Sequence, residues 1–337
     1  MPLNRRVAAP KVELPADTDA VTWRSASTSD IEAILDCERE ISVVDHPHYV
    51  TTGEEVEEDF EQSYFDAERD SLIGATPDGR VLAWGLVLEP PGQDTLVREI
   101  LVGGVRPASR GQGLGRQVLA WQVARGEQRL AASALTIPGW LMAFADQRAD
   151  AAAHLYARFG LSPARYFLEL RRDLSEPIAA VELDAELRLV PFSAEWSEAT
   201  RLARNDSFRD HWGSQPSLEE PWLSFVERST IRPDLSFLAV APDDHVAGFV
   251  ISSVVETDWP GQGFSSAYID LVGVTRQWRR RGIAPALLTR TLLAVAAAGL
   301  DKAVLDVDSD SPTGALGLYT GVGFAESNRS INFTKVY

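Results

Sequence analysis

Among its 337 residues the sequence has one cysteine, Cys37, and two methionines. A single thiol excludes an internal disulfide framework and a cysteine-built zinc site. Positive charge is short as well: 32 Lys and Arg stand against 49 Asp and Glu, a net charge of −17. Holding nucleic acid by its phosphates needs a basic surface, so that class of partner is excluded. Long hydrophobic runs are missing. The longest, Leu292 to Leu300, falls well short of the ~20 residues that span a bilayer. Met1 to Arg6 lack the apolar stretch of a secretion signal. The chain therefore reads as cytoplasmic, without membrane or nucleic-acid partners, and its acidity suits an amine substrate. What is present is ordinary globular composition, 45% hydrophobic and 24% charged, at a length that suggests two domains.

The sequence repeats itself. Residues 99–115 read EILVGGVRPASRGQGLG and residues 268–284 read YIDLVGVTRQWRRRGIA. An offset of 169 carries Arg110 onto Arg279, Gly113 onto Gly282, Gly115 onto Ala284 and Val105 onto Val274. Each copy is an apolar run, a turn rich in Gly and Arg, and a long helical pattern. Hairpin patterns precede them at 71–89 and 235–256, and LY-x-x-x-G follows at Leu155, Tyr156 and Gly160 and at Leu318, Tyr319 and Gly323. Helical patterns lie further upstream at 31–40, 54–66, 195–206 and 218–228. This order gives two α/β domains, each a mixed sheet with helices on both faces and a parallel strand–helix–strand unit in its second half. The expected divisions are a loose N-terminal arm at 1–20, domain 1 at 21–174, a linker at 175–186 and domain 2 at 187–337.

A strand feeding a Gly-rich turn that opens a helix is an anion site, because unpaired amides converge there and the helix dipole favours negative charge. Gly113 and Gly282 let backbone approach a phosphate, and Arg110, Arg116, Arg279, Arg280 and Arg281 supply nearby cations. Neither turn has the Gly-Lys-Ser/Thr ending of a nucleotide phosphate loop, and neither has the dinucleotide glycine spacing. The pattern Arg-x-x-Gly-x-Gly/Ala after a buried strand, at Arg110–Gly115 and at Arg279–Ala284, instead resembles the acyl-CoA motif of the GCN5-related N-acetyltransferases (GNAT). The segment LDVDSDSPTGALGLYTGVGF, residues 305–324, resembles that family's closing strand and helix. The paired arrangement is similar to that of the mycothiol synthases and other actinobacterial tandem acetyltransferases.

This resemblance implies a V-shaped split between the fourth and fifth strands of each half, acetyl-CoA as donor, and direct transfer without an acyl-enzyme. The implied cofactor residues are Val105, Arg110, Gly111, Gln112, Gly113, Leu114 and Gly115 in the first half. In the second half they are Val272, Val274, Arg279, Arg280, Arg281, Gly282, Ile283 and Ala284. Tyr156 and Tyr319 match the tyrosine that returns a proton to the coenzyme A thiolate, a task a phenol suits because it stays protonated at neutral pH. Two carboxylates are candidate bases. Asp270 lies inside the second apolar strand, where an unused carboxylate is expensive, and Glu99 begins the first and corresponds to Tyr268. Asn205 to Gly213, with its aromatic and hydrogen-bonding residues, and Asp45 to Tyr49 are candidate acceptor loops; His46 and His48 lack metal-ligand spacing. The expected activity is N-acetylation of a small-molecule amine without a metal, by a monomer or homodimer, with domain 2 the active half. A mycothiol-synthase-like acceptor and a non-catalytic acyl-CoA sensor are the alternatives.

Overall fold

The computed structural model describes residues 1–311 and 314–337. It divides into two compact units, residues 1–165 with 330–337, and residues 166–329. In chain order unit 1 holds α1 (Leu3–Arg6), β1 (Thr22–Arg24), α2 (Ile31–Asp45), α3 (Gly53–Glu61), α4 (Ala67–Asp70), β2 (Ser71–Ala75), β3 (Val81–Leu88), β4 (Val97–Val105), α5 (Leu114–Ala132), β5 (Gly139–Asp146) and α6 (Asp150–Arg158). β6 (Ser162–Asp173) passes into unit 2. There follow β7 (Arg188–Pro191), α7 (Ser197–Ser207), α8 (Glu219–Val226), β8 (Phe237–Val240), β9 (Val246–Ser253), α9 (Trp259–Gln262), β10 (Ser266–Val274), α10 (Ile283–Ala297), β11 (Lys302–Asp308) and α11 (Ala315–Gly321). β12 (Ala325–Val336) begins in unit 2 and ends in unit 1. None of the described helices is long and apolar enough to cross a membrane.

Both units share one plan. An antiparallel run, β1-β2-β3-β4 or β7-β8-β9-β10, leads to one parallel pair. That pair holds for only a few rungs. β4 meets β5 from Val97↔Gly139 to Ile100↔Met142, and β10 meets β11 from Ser266↔Lys302 to Tyr268↔Val304. Beyond those points the strands part, leaving open backbone edges along the second halves of β4 and β10. Apolar alternation explains the layers. In unit 1, Val97, Leu101 and Val105 pack beneath α5 with Val118 and Leu119, while Ile100 and Val102 pack with Ile34 and Leu35 of α2. In unit 2, Ile269, Val272 and Val274 pack with Leu287 and Leu288 of α10, while Leu271 packs with Ala203 of α7.

The division of the chain differs from expectation in three places. The strand expected to close domain 1 pairs instead in unit 2, from Phe167↔Asp308 to Asp173↔Lys302, and the C-terminal strand closes unit 1, from Ser330↔Asp146 to Val336↔Trp140. Duplicated halves present like edges, so local pattern alone does not assign a closing strand to its sheet. The expected linker is part of unit 2: Ile178 and Leu183 pack into its core and Val181 N–H donates to Thr289 Oγ1 of α10 at 3.2 Å. The expected loose arm is docked. Leu3 and Asn4 N–H donate to Leu135 and Ser133 carbonyls at 2.8 and 2.9 Å, and Leu3 is fully buried over Gly139, where a Cβ would stand 2.7 Å from its Cδ2.

Leu3→Ala removes a fully buried isobutyl group and leaves a cavity, so equilibrium urea unfolding should show a loss of about 2–5 kcal/mol. A loss below about 0.5 kcal/mol, the scale of a surface change, would mean that the arm is not part of the core.

Candidate functional site

The split in unit 2 carries a feature that the split in unit 1 lacks. β10 slips against β9 between Ile269 and Leu271, so that Asp270 is the extra residue of a bulge, whereas β4 runs against β3 with no slip. The last residues of the matching strands fix the correspondence: Leu88 of β3 faces Ile100, and Ser253 of β9 faces Tyr268. Tyr268 therefore corresponds to Ile100, not to Glu99 as the sequence offset implies. A one-residue slip sends a side chain to the opposite face of the sheet. Glu99 consequently points under α5, fully buried, 3.2 Å from Arg129 Nε and against the space beside Gly126. Desolvation, reinforced by Glu89, pushes its carboxyl well above the usual range. It belongs to a buried cluster with Asp70, Glu89 and Arg129, away from the Tyr268-like face.

Tyr268 and Asp270 both face the α7/α8 side of β10, where they line one cavity. Tyr268 Oη donates to Asp306 Oδ2 of β11 at 2.9 Å, a bond made just where the two strands part. Asp306 opens toward solvent, yet the surrounding strands strip much of its hydration and its carboxyl is pushed up to about 6. The Tyr268 hydrogen bond works against that rise and Glu169, its register partner on β6, adds to it. Burial and these carboxylates hold the Tyr268 phenol well above its ordinary value, so it stays a donor. Asp306 was missed in the sequence because it reads as an ordinary outward residue of the alternating Leu305-Asp306-Val307-Asp308.

The two Arg/Gly turns form matched cradles. Gly113 and Gly282 cap α5 and α10 in the left-handed region at φ +90° and +72°, with no side-chain cap. Along each turn the first amides to find a backbone acceptor are Gln117, bonded to Gly113 O, and Ala286, bonded to Gly282 O, both at 3.2 Å. Among the described residues the amides of 111–116 and 280–284 have no backbone acceptor, and Pro285 has no N–H, which leaves two rows of unpaired donors. A Cβ at Gly282 would meet no protein atom within 4 Å, so the space over the loop is clear. Arg280 holds the place of Gly111 at φ +65°, a conformation that disfavours a side chain.

The arginines divide by role. Arg110 Nη1 and Nη2 donate to Asp45 at 2.8 and 2.7 Å and its Nε to Val105 O at 3.1 Å, tying the turn to the end of α2. Arg279 Nη2 likewise donates to Ser207 O at the end of α7, at 2.9 Å. Arg281 pairs with Asp184 and Glu186 and lies over Trp278 at 4.5 Å. These three guanidinium groups shape the loops; Arg116 and Arg280 have no ion pair among the described residues. Leu114 and Ile283 are buried, and Val105, Val272 and Val274 pack into the cores, so these residues offer backbone rather than side chains. Gln112 is exposed at the turn, and Gly115 has ordinary room for the methyl that Ala284 carries.

The paired tyrosines are not equivalent. Tyr156 Oη donates to Phe144 O at 3.2 Å, and its ring packs on Phe333. Tyr319, on α11, is largely buried with its ring edge-on to Phe324, and its hydroxyl makes no hydrogen bond to a described residue. Desolvation pushes both phenols up to about 12. In the sequence Ser311 and Thr313 read as candidate caps of the short helix that carries Tyr319; Gly314 caps α11 instead of Ser311, and Thr313 lies outside the described residues. The expected acceptor loops serve mainly as struts. Asp45 holds Arg110, His46 lies 3.2 Å from Glu38, Asp206 accepts Arg276 N–H at 2.8 Å, and Asn205 bonds both Ser217 N–H and O. Trp222 and Phe225 of α8, absent from that expectation, line the cavity beside Asp270.

Two α/β units with parted parallel strands and amide-lined turns define an acyltransferase class of fold. Comparison makes it specific: the acetyltransferase (GNAT) family model matches residues 34–161 and 196–324. A mycothiol acetyltransferase of Thermobispora bispora is 32% identical over 73% of this chain and 78% of its own length. Another, of Salinispora arenicola, is 31% identical over 68% and 71%. A GCN5-related N-acetyltransferase structure from Sphaerobacter thermophilus aligns with TM-score 0.70 and 26% identity over 96% of this chain and 97% of that one. A tandem GNAT protein from the clavulanic acid biosynthesis pathway shares the fold, with TM-score 0.66 and 15% identity over 94% and 98%. The chain belongs to the GNAT family. It is an N-acetyltransferase of the tandem-domain type represented by mycothiol synthase.

Carbon-13 labelling of aspartate should reveal Asp306 titrating near pH 6, neutral below that point and ionised above it. Tyr268→Phe removes the hydrogen bond that favours the carboxylate, so the midpoint should move higher still. A midpoint near 4 in the parent protein would contradict this picture of the recess.

Proposed function

We propose that the protein transfers an acetyl group from acetyl-CoA to the amine of a small molecule, with unit 2 the catalytic half. The observation that carries this reading is the contrast between the tyrosines. Tyr319 keeps its hydroxyl uncommitted in the unit that also carries the Asp270 bulge, whereas Tyr156 spends its hydroxyl on Phe144 O. Acetyl-CoA supplies the thioester. The amides of 280–284 suit its phosphates, and the open edge of β10 past Tyr268 suits the amide-bearing arm. In the reaction the amine nitrogen bonds to the acetyl carbon and the carbon–sulfur bond breaks. The amine proton goes to Asp270, directly or through water, and Tyr319 returns a proton to the thiolate. Unit 1 keeps the amide row but presents Ile100 where unit 2 presents Tyr268, which supports a cofactor-holding rather than catalytic half.

A mycothiol-synthase-like acceptor is the second reading. It is favoured by the relatives at 31–32% identity that bear the name mycothiol acetyltransferase.

Tyr319→Phe removes one oxygen and almost no packing, so CoA release should fall roughly 100-fold or more, with acetyl-CoA binding little changed. Tyr156→Phe should leave turnover within about twofold; the opposite pattern would move catalysis to unit 1. Gly282→Val places a branched side chain in the clear space above the loop and strains a left-handed backbone, so titration calorimetry should show weakened acetyl-CoA binding. Unchanged affinity in a folded variant would remove the loop from the cofactor site.

A further inference from the structure

Tyr319 Oη makes no hydrogen bond to a described residue, so the aim of its ring is set by the backbone that carries it. The turn after α11 closes on Tyr319 itself. Its carbonyl accepts Val322 N–H and Phe324 N–H, both at 3.1 Å, with Gly323 left-handed at φ +91°. One side chain reaches this turn from β6. Arg172, 3% exposed, donates from Nε to Val322 O at 3.0 Å. Its Nη2 donates to Pro177 O at 2.8 Å, and its Nη1 to Asp173 O and to Glu176 Oε2. The fork thus ties the end of α11 to the chain that leaves β6. A Cβ on Gly323 would stand 2.5 Å from Nε, so the turn lies directly against the guanidinium.

Unit 1 builds the same turn without such a brace. Tyr156 O accepts Phe159 N–H at 3.0 Å and Leu161 N–H at 3.1 Å, with Gly160 at φ +82°. Lys335 holds the place of Arg172: it faces Leu141 of β5 as Arg172 faces Ala303 of β11, each one residue short of the last parallel rung. Its ammonium pairs with Glu127 of α5 at 2.8 Å, and it meets the space beside Gly160 through its carbon stem. The turn itself therefore needs no cation. Burying a guanidinium is costly, and the unit that does so is the one whose tyrosine hydroxyl is uncommitted. Tyr156 is held at its own hydroxyl, by Phe144 O at 3.2 Å.

We infer that Arg172 is a positioning residue for acetyl transfer, holding the turn 322–324 so that the Tyr319 hydroxyl keeps its aim at the cofactor sulfur while bonding to no protein group. This rests on the reading of Tyr319 as the group that protonates the thiolate. A hydroxyl reserved for a reacting atom cannot be tethered at its own end, so its helix must be held at the other. A misplacement of about 1 Å at a reacting group can cost about 100-fold in rate. Because β6 belongs to the first sequence repeat, the exchange of closing strands is what delivers the brace.

Coenzyme A bound to the full chain tests this without an acceptor, through the ultraviolet absorbance of its thiolate followed against pH. Tyr319→Phe removes the donor that favours the thiolate, so the bound thiol should titrate about one unit higher. Arg172→Lys keeps the charge but not the fork, and should raise the same midpoint by at least about 0.5 unit. The two changes together should give no more than Tyr319→Phe alone. Mere loss of folded protein would change the amplitude of the titration, not its midpoint. Gly323→Ala presses the fork aside with the arginine intact; it should shift the midpoint the same way and carries the test if Arg172→Lys does not fold. Lys335→Met, the matching change in unit 1, should leave the midpoint in place. An unshifted thiol in folded Arg172→Lys or Gly323→Ala would overturn the inference and leave Tyr319 standing. So would shifts that add in full to that of Tyr319→Phe, or an equal shift from Lys335→Met. No shift in Tyr319→Phe, or no binding of coenzyme A to the parent chain, would overturn the reading of Tyr319 and the inference together.

Discussion

One extra residue in β10 sets the strand beside its split apart from its counterpart in unit 1. A bulge cannot be absorbed without turning the strand, so everything before Asp270 is shifted by one position relative to the matching strand of unit 1. That shift puts Tyr268 opposite the Asp306 carboxylate and sets Asp270 on the cavity wall. In unit 1 the uninterrupted strand puts Ile100 at the same rung and turns Glu99 under α5. Both halves keep the parted strands and the amide-lined turn. Only one keeps acidic groups and an uncommitted tyrosine beside them.

The two turns present unpaired backbone amides rather than side chains. A phosphate cradle needs several donors facing one point, and unsatisfied first-turn amides provide them only if the turn is held still. Arg110 and Arg279 do the holding: each reaches from the turn to the strand end before it and to the end of the helix across the sheet. Arg281 braces the second turn against Asp184 and Glu186. Loss of any of these cations would be felt as loop geometry before it was felt as missing charge.

The repeat, the hairpins, the Arg/Gly turns and the helices that follow them were legible in the sequence, because each has local chemistry: alternation, turn residues, or a helical period. Family resemblance then pointed to the split between parallel strands. What was not legible depends on contacts between distant segments. Adding 169 to Glu99 gives Tyr268, and only the pairing with β3 and β9 reveals the slip. The exchange of closing strands is invisible for a like reason, since β6 and β12 are similar strands offered similar edges. Leu3 and Val7, which both enter the core, stand among prolines and charges without helical or strand period, a signal too weak to predict docking. The arginines read as phosphate ligands because their carboxylate partners lie as many as 97 residues away in sequence.

The central claim is that unit 2 aligns a thioester between the open edge of β10 and the hydroxyl of Tyr319. A crystal structure of the full chain with a non-hydrolysable acetyl-CoA analogue tests it directly. The account predicts the diphosphate on the amides of 280–284, the pantetheine arm along β10 beyond Tyr268, and the sulfur-equivalent atom within about 3.5 Å of Tyr319 Oη, close to hydrogen-bond reach. An analogue bound in unit 1 alone, or bound in unit 2 with its reactive end away from Tyr319, would contradict it.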